Sequence, residues 1–202
     1  MKLRIAGLAL AACLMAVPAA HANVVVNGGF ETGDFTGWTV NDPSGATVVT
    51  SFVGNAYGSY YAPYAGSYYA WFGAYGTDPN GNPEYGSISQ SISDAKGETY
   101  VLTYWLAVDG NTPNYFAAQW DGVNIAGSVI TNGGPSNGYV EYAFAVLGTG
   151  ADTLSFFGYD APGGLSLDDV SLIPEPATLG LLGAGLAGLG ALRRRRKPGR
   201  TA

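Results

Sequence analysis

The sequence predicts an all-β domain, a β-sandwich of jelly-roll type, between an N-terminal signal peptide and a single C-terminal transmembrane helix. Three observations predict it. Short runs rich in β-branched and aromatic residues recur between turns built from Gly, Pro and Asn. No apolar period of 3.6 residues is sustained through the body of the chain. Each end of the chain pairs an apolar stretch with basic residues, unlike anything between them.

At the start, residues 1–22 carry Lys2 and Arg4, an apolar run from Ile5 to Val17, and then Ala20-His21-Ala22. A basic start, a short hydrophobic run and a small-x-small site describe a secretory signal peptide cut after Ala22. A retained anchor and lipidation at Cys13, within Leu10-Ala11-Ala12-Cys13, are the other two readings. The lipidated form would have a very short hydrophobic region, because the apolar run continues past the cysteine. Cleavage after Ala22 removes Cys13 and His21, the single cysteine and single histidine. The mature chain then has no disulfide, thiolate or imidazole, which excludes Cys/His zinc sites, Ser-His-Asp triads and cysteine proteases.

Charge is segregated. Between residues 23 and 176 fifteen carboxylates face the single Lys96, a formal charge of −14. Phosphate recognition needs Lys or Arg, so nucleic acid is excluded as a partner. Divalent cations and neutral ligands such as sugars remain.

The strands follow in order: 46–52 (ATVVTSF), 67–73 (SYYAWFG), 86–92 (GSISQSI) and 99–108 (TYVLTYWLAV). Then come 114–123 (NYFAAQWDGV), 139–146 (YVEYAFAV), 152–159 (DTLSFFGY) and 165–172 (LSLDDVSL). In 99–108 both alternating sets carry apolar residues, which suits a strand covered on both faces. Residues 78–83 (DPNGNP) and 131–138 (TNGGPSNG) are loops by composition. Eight strands without helices make a sandwich, and Trp38, Trp71 and Trp105 are expected in its core.

At the C-terminus, sixteen uncharged residues run from Ala177 to Leu192. As a helix they would span roughly 24 Å, a little under the bilayer core of about 30 Å. Arg193, Arg194, Arg195, Arg196 and Lys197 follow at once and fix the tail 193–202 in the cytoplasm by the positive-inside rule. The order Pro174-Glu175-Pro176, glycine-rich apolar helix, arginine cluster resembles a PEP-CTERM sorting signal, over residues 174–202. The resemblance implies an exosortase, a membrane-embedded protease, as processing partner, with cleavage at or near the Pro-Glu-Pro. It implies export, transient anchoring in the inner membrane, and delivery to the cell surface or extracellular matrix of an exopolysaccharide producer.

Two motifs give the body, residues 23–173, a second likeness. "VNGGFETGDFTGWTV" at 26–40 and "LSLDDVSLIP" at 165–174 resemble the first and last strands of galactose-binding-like jelly rolls, the fold of several carbohydrate-binding modules. The resemblance implies a structural calcium held by Glu31 and Asp168, with Asp169 as the alternative ligand. Ordinary strand-end caps at a solvated rim would read the same way.

Sugar stacking is the other candidate chemistry. Tyr57, Tyr60, Tyr61 and Tyr64 crowd one loop, followed by Tyr68, Tyr69, Trp71 and Tyr75, with Tyr115 and Trp120 elsewhere. Aromatic planes pack against pyranose C–H faces, yet tyrosine is also a common strand residue. None of the fifteen acids lies in a recognisable catalytic motif, so a non-enzyme is expected. The reading is an exported surface or matrix protein associated with exopolysaccharide. A carbohydrate-binding module for one particular glycan is the alternative.

Overall fold

The computed structural model describes residues 22–50 and 61–175. The signal peptide up to His21, Tyr57 and Tyr60, Pro176, the segment 177–192 and Arg193–Arg196 lie outside the described residues.

Eleven strands follow one another: β1 Thr39–Asn41, β2 Thr47–Thr50, β3 Tyr69–Phe72, β4 Gly86–Ile92, β5 Thr99–Val108 and β6 Asn114–Trp120. Then come β7 Val123–Asn124, β8 Ile130–Thr131, β9 Val140–Leu147, β10 Asp152–Asp160 and β11 Leu165–Pro174. They build two antiparallel sheets. One runs β1-β4-β10-β6-β7, with β8 also on β6, and the other runs β2-β3-β11-β5-β9. There is no helix among the described residues.

A two-residue period sorts the side chains. Tyr100, Leu102, Tyr104 and Leu106 of β5 are buried, whereas Val101, Thr103 and Trp105 between them are half-buried. From the facing sheet Ile88 and Ile92, Phe116 and Ala118, and Leu154 and Phe156 enter the same core. The Tyr104, Phe116 and Phe156 rings meet there at centroid distances of 5.2–5.9 Å. All eight strands read from the sequence are present. The three additional ones, β1, β7 and β8, are two or three residues long, too short to establish an alternation.

The long last strand needs one correction of register. Between Asp168 and Ser171 three steps of β11 oppose two steps of β5, a β-bulge. Asp169 adopts φ 47°, the left-handed conformation that Asp tolerates better than most residues. The extra residue switches the inward set from Leu165 and Leu167 to Val170 and Leu172, all of them in the core. Asp168 therefore lies on the outer face of its sheet.

The stretch 26–40 is not a first strand. Turns and bends fill most of it, and only Thr39 and Val40 belong to β1. The chain still meets β11 there. Val24 N–H donates to Leu172 O, Val170 N–H donates to Gly28 O, and Asn23 Oδ1 accepts from Leu172 N–H. A Cβ at Gly28 would come within 1.9 Å of Val170 O, so that approach needs glycine. Phe30 and Trp38 fold inward from this segment, their rings tilted with centroids 5.9 Å apart.

Trp38 is in the core, as expected. Trp71 and Trp105 are not: each alternates with buried neighbours and faces outward from its sheet.

Candidate functional site

Residues 61–68 cross the outer face of the β5–β11 sheet as a strap. The Tyr64 ring stacks on Trp105, Tyr61 O–H donates to Ser136 O, and Tyr61 and Tyr64 both approach the Tyr139 ring. Two carboxylates pin the strap from below. Asp168 Oδ2 accepts from Ala65 N–H at 3.1 Å and its Oδ1 from Asp169 N–H at 2.7 Å. Glu31 accepts from the N–H groups of Ser67 and Tyr68 at 2.9–3.0 Å.

Glu31 and Asp168 thus both accept from the four-residue segment 65–68, while Asp169 is exposed. Asp168 is fully buried, and burial pushes its carboxyl up to about 6 against the N–H groups of Ala65 and Asp169 that favour the anion. The donor chemistry fits a hard cation, since carboxylate oxygens keep further lone pairs beyond those the N–H groups use. Among the described residues no three Asp, Glu, His or Cys side chains form a metal-binding group. Tyr61 and Tyr64 both fasten the strap to the sheet and to the loop at Ser136. Tyr64 remains 41% exposed, but one of its ring faces is occupied by Trp105.

A cleft of about 440 Å³ opens at one end of the sandwich, lined by Ala46, Trp71, Gly73, Tyr75 and the segment Asp160–Gly163. Its shape comes from glycines. A Cβ at Gly164 would lie 1.9 Å from Trp71 Nε1, and one at Gly163 would lie 1.9 Å from Asp109 Oδ2. The turn after β10 is therefore pressed between an indole and a carboxylate. Tyr75 is 59% exposed at the mouth.

Asp160 closes the inner wall. It is 1% exposed, and neither of its oxygens has a hydrogen-bond donor. Burial, with the neighbouring Asp109 carboxylate, pushes its pKa up to about 8. Asp109 is held by Asn111 N–H and Nδ2 at 2.8 Å and by Gly164 N–H at 3.2 Å.

Beside the cleft, the outer face of the β4–β10–β6 sheet carries a tyrosine cluster. Tyr115 and Tyr159 are cross-strand partners, and Tyr85 packs on them at 4.9 and 6.0 Å. Further along this face Gln119 Nε2 donates to Asn124 Oδ1.

Sequence reasoning named Trp71, Tyr75 and Tyr115 among the aromatic residues but missed Asp109, Asp160 and Tyr85. A signal was available. Asp109 directly follows β5 and Asp160 ends β10, each before a Gly- or Pro-containing turn, which is how acids reach the end of a sandwich.

These features define a two-sheet antiparallel β-sandwich, a fold shared with solved carbohydrate-binding modules. TmCBM61, solved in complex with beta-1,4-galactotriose, is similar with TM-score 0.54 and 18% identity over 76% of this chain and 99% of that one. The CBM22-1 xylan-binding domain of Paenibacillus barcinonensis Xyn10C gives 0.53 and 17%, over 79% and 99%. A Stig cyclase, Fisc from Fischerella sp. TAU, gives 0.54 and 17%, over 76% and 97%. At these identities the likeness is one of fold. No curated protein matches the chain. The chain carries a PEP-CTERM protein-sorting motif, matched over residues 172–196, which marks it for exosortase-dependent sorting.

Proposed function

We propose that the protein is an exported, exosortase-sorted surface protein whose sandwich binds a polysaccharide of the surrounding matrix. One observation carries the binding part: a buried carboxyl with no protein donor, Asp160, lines a cleft walled by Trp71 and Tyr75. A buried polar group without a partner is costly, and sugar hydroxyls are donors of the kind it lacks. The aromatic rings offer faces for the sugar's C–H groups, and Asn111 Nδ2 already ties Asp109 to Pro162 O beside the wall. The neighbours described as binding galactotriose and xylan support the reading through fold alone.

The purified full chain, screened on a glycan array, should bind a restricted set of glycans, with at least tenfold weaker binding for Trp71→Ala and for Asp160→Asn. Uniform silence across the array would remove the binding role and leave a sorted surface protein without a glycan ligand.

A further inference from the structure

The strap held by the Glu31–Asp168 clasp occupies the outer face of the β5–β11 sheet. The outer face of the other sheet is built differently, and strand register gives its outward positions. Thr39 opposes Ser89, Ser89 opposes Ser155, Ser155 opposes Gln119 and Gln119 opposes Asn124. The next rows are Ser87, Phe157 and Ala117, then Tyr159 and Tyr115. No outward position on these strands is charged, in a body where fifteen carboxylates face one lysine.

Ring faces and amides share this surface. Tyr85 packs on Tyr115 and Tyr159 and is 38% exposed. Phe157 is half-buried between the small side chains of Ser87 and Ala117. Four residues along β10 and β6 from the Tyr159–Tyr115 row, roughly 13 Å at the rise of a strand, stands the Ser155–Gln119 row. Gln119 Nε2 donates to Asn124 Oδ1, which leaves Gln119 Oε1 to accept and Asn124 Nδ2 to donate. A sugar fits such a sequence of groups, because its C–H faces are apolar and its neighbouring hydroxyls both give and take hydrogen bonds.

The face is continuous with the cleft. On β10, Tyr159 directly precedes the cleft-wall residue Asp160. A short hairpin is closed by the Thr77–Pro83 bridge and by Glu84 N–H donating to Gly76 O. Tyr75, at one foot of this hairpin, lines the cleft, and Tyr85, at the other, belongs to the face. One hairpin thus supplies an exposed ring to each.

We infer that the outer face of β4–β10–β6 is a second glycan-binding surface, which takes the continuation of an extended, uncharged polysaccharide chain seated in the cleft. Tyr85 and Tyr115 pack against its sugar rings, and Gln119 and Asn124 hydrogen-bond its hydroxyls. The seating in the cleft rests on the glycan-binding reading, whereas the face stands on its own residues. Charge decides the class of chain. A face without a cation, on a body of formal charge −14, has nothing to pair with carboxylate or sulfate groups and repels them. Short sugars reach one of the two surfaces at a time, so affinity grows with chain length.

The test runs the purified full chain by affinity electrophoresis through gels containing xylan or β-1,4-galactan, both uncharged, or the acidic polygalacturonate. At least one uncharged chain should retard the protein, and polygalacturonate should not. Calorimetry with oligosaccharides of the retarding chain should show affinity rising about tenfold or more from disaccharide to hexasaccharide. Tyr115→Ala, Gln119→Ala and Asn124→Ala should each remove most of that rise. Melting curves check folding, and the exposed Asn124 on β7 keeps the test decisive if Tyr115→Ala does not fold. A hexasaccharide bound no better than the disaccharide overturns the face, as does a rise that survives Gln119→Ala and Asn124→Ala in folded protein. Equal retardation by polygalacturonate overturns the uncharged class. Binding lost in Trp71→Ala but unmoved by the three face variants strikes the face and leaves the cleft. Binding lost in the face variants but unmoved in Trp71→Ala upholds the face and strikes the cleft reading, and no retardation by any chain overturns both.

Discussion

The Tyr64 and Trp105 rings lie 3.8 Å apart, centroid to centroid, and are inclined by 13°. An outward-facing tryptophan of a central strand is thereby covered by a residue 41 positions earlier in the chain. The stack, the Asp168–Ala65 bond and the Glu31 bonds to Ser67 and Tyr68 fasten the strap at three points. Stacked aromatic pairs contribute about 0.5–1.5 kcal/mol beyond their buried area, so the strap is a stabilising cover for this face.

The weak point of the strap is Gly66. It adopts φ 62°, and a Cβ there would lie 2.3 Å from Glu31 Cδ. Gly66→Ala therefore suffers twice, from left-handed strain and from expulsion of the carboxylate that holds Ser67. Gly45→Ala is the control, because Gly45 has φ 68° but nothing within 4 Å of its Cβ position. Urea unfolding should show a loss at least about 1 kcal/mol larger for Gly66→Ala than for the control. Limited proteolysis should also cut the Gly66→Ala strap faster. Equal losses would mean that Glu31 does not bear on the strap.

At the other end of the sandwich Asp94, Asp121 and Asp152 share a crowded corner. Asp152 is anchored by Thr149 N–H and by the Thr149 hydroxyl, and it is held below the usual carboxylate range. Asp94 is raised, first by burial and then by Asp152 beside it. The sign follows from linkage. A raised acid binds its proton more tightly when folded, so its contribution to stability falls as pH rises past the ordinary Asp value and on through the raised one. Asp94→Asn keeps an acceptor for Gly150 N–H and removes the repelling charge. Its melting temperature should exceed the wild type's at pH 7 and converge with it below about pH 4. A variant that is less stable at pH 7 would show that the Asp94 charge is compensated there.

The sorting motif overlaps the fold. Pro174 is the last register partner of β11, opposite Tyr100, and Glu175 N–H donates to Thr99 O at 2.8 Å. A protease needs an extended, accessible backbone, and these two residues are tied to the sheet. The exported, processed protein should therefore retain both Pro174 and Glu175 at its C-terminus, as read by intact mass. A mature end before Pro174 would require the last rung of β11 to be peeled off before cleavage. Neutral replacement of Arg193–Arg196 should leave the sandwich's melting unchanged while impairing retention at the membrane.

The fold was legible because its long strands declare themselves. In Thr99–Val108 and Asp152–Asp160 the alternation and the flanking turns agree. The bulge at Asp169 was not legible, since its parity switch from Leu167 to Val170 looks like an ordinary Asp-Asp pair in the sequence. The aromatic residues misled for the same reason. Trp71 and Trp105 have strand-like neighbours on both sides, and only sheet pairing decides which face is inside. The cleft depends on Gly163 and Gly164 packing against Asp109 and Trp71, contacts between residues 54 and 93 positions apart in the chain. No local pattern encodes such a meeting.

The last prediction concerns the clasp itself. Glu31 and Asp168 reach the strap from the two ends of the domain, and the body carries a formal charge of −14 that repels itself. A divalent cation shared by these carboxylates would offset their repulsion and tie the first turn, the strap and β11 together. An ion that binds only the folded state stabilises by RT ln(1 + [L]/Kd), about 2.7 kcal/mol at 100 times Kd. Thermal melting of the full chain in calcium should therefore exceed melting in chelator. Glu31→Gln and Asp168→Asn should each abolish that rise. If the wild-type melting temperature is the same in calcium and in chelator, the clasp works without metal, with Glu31 and Asp168 acting solely as acceptors for the N–H groups of Ala65, Ser67 and Tyr68.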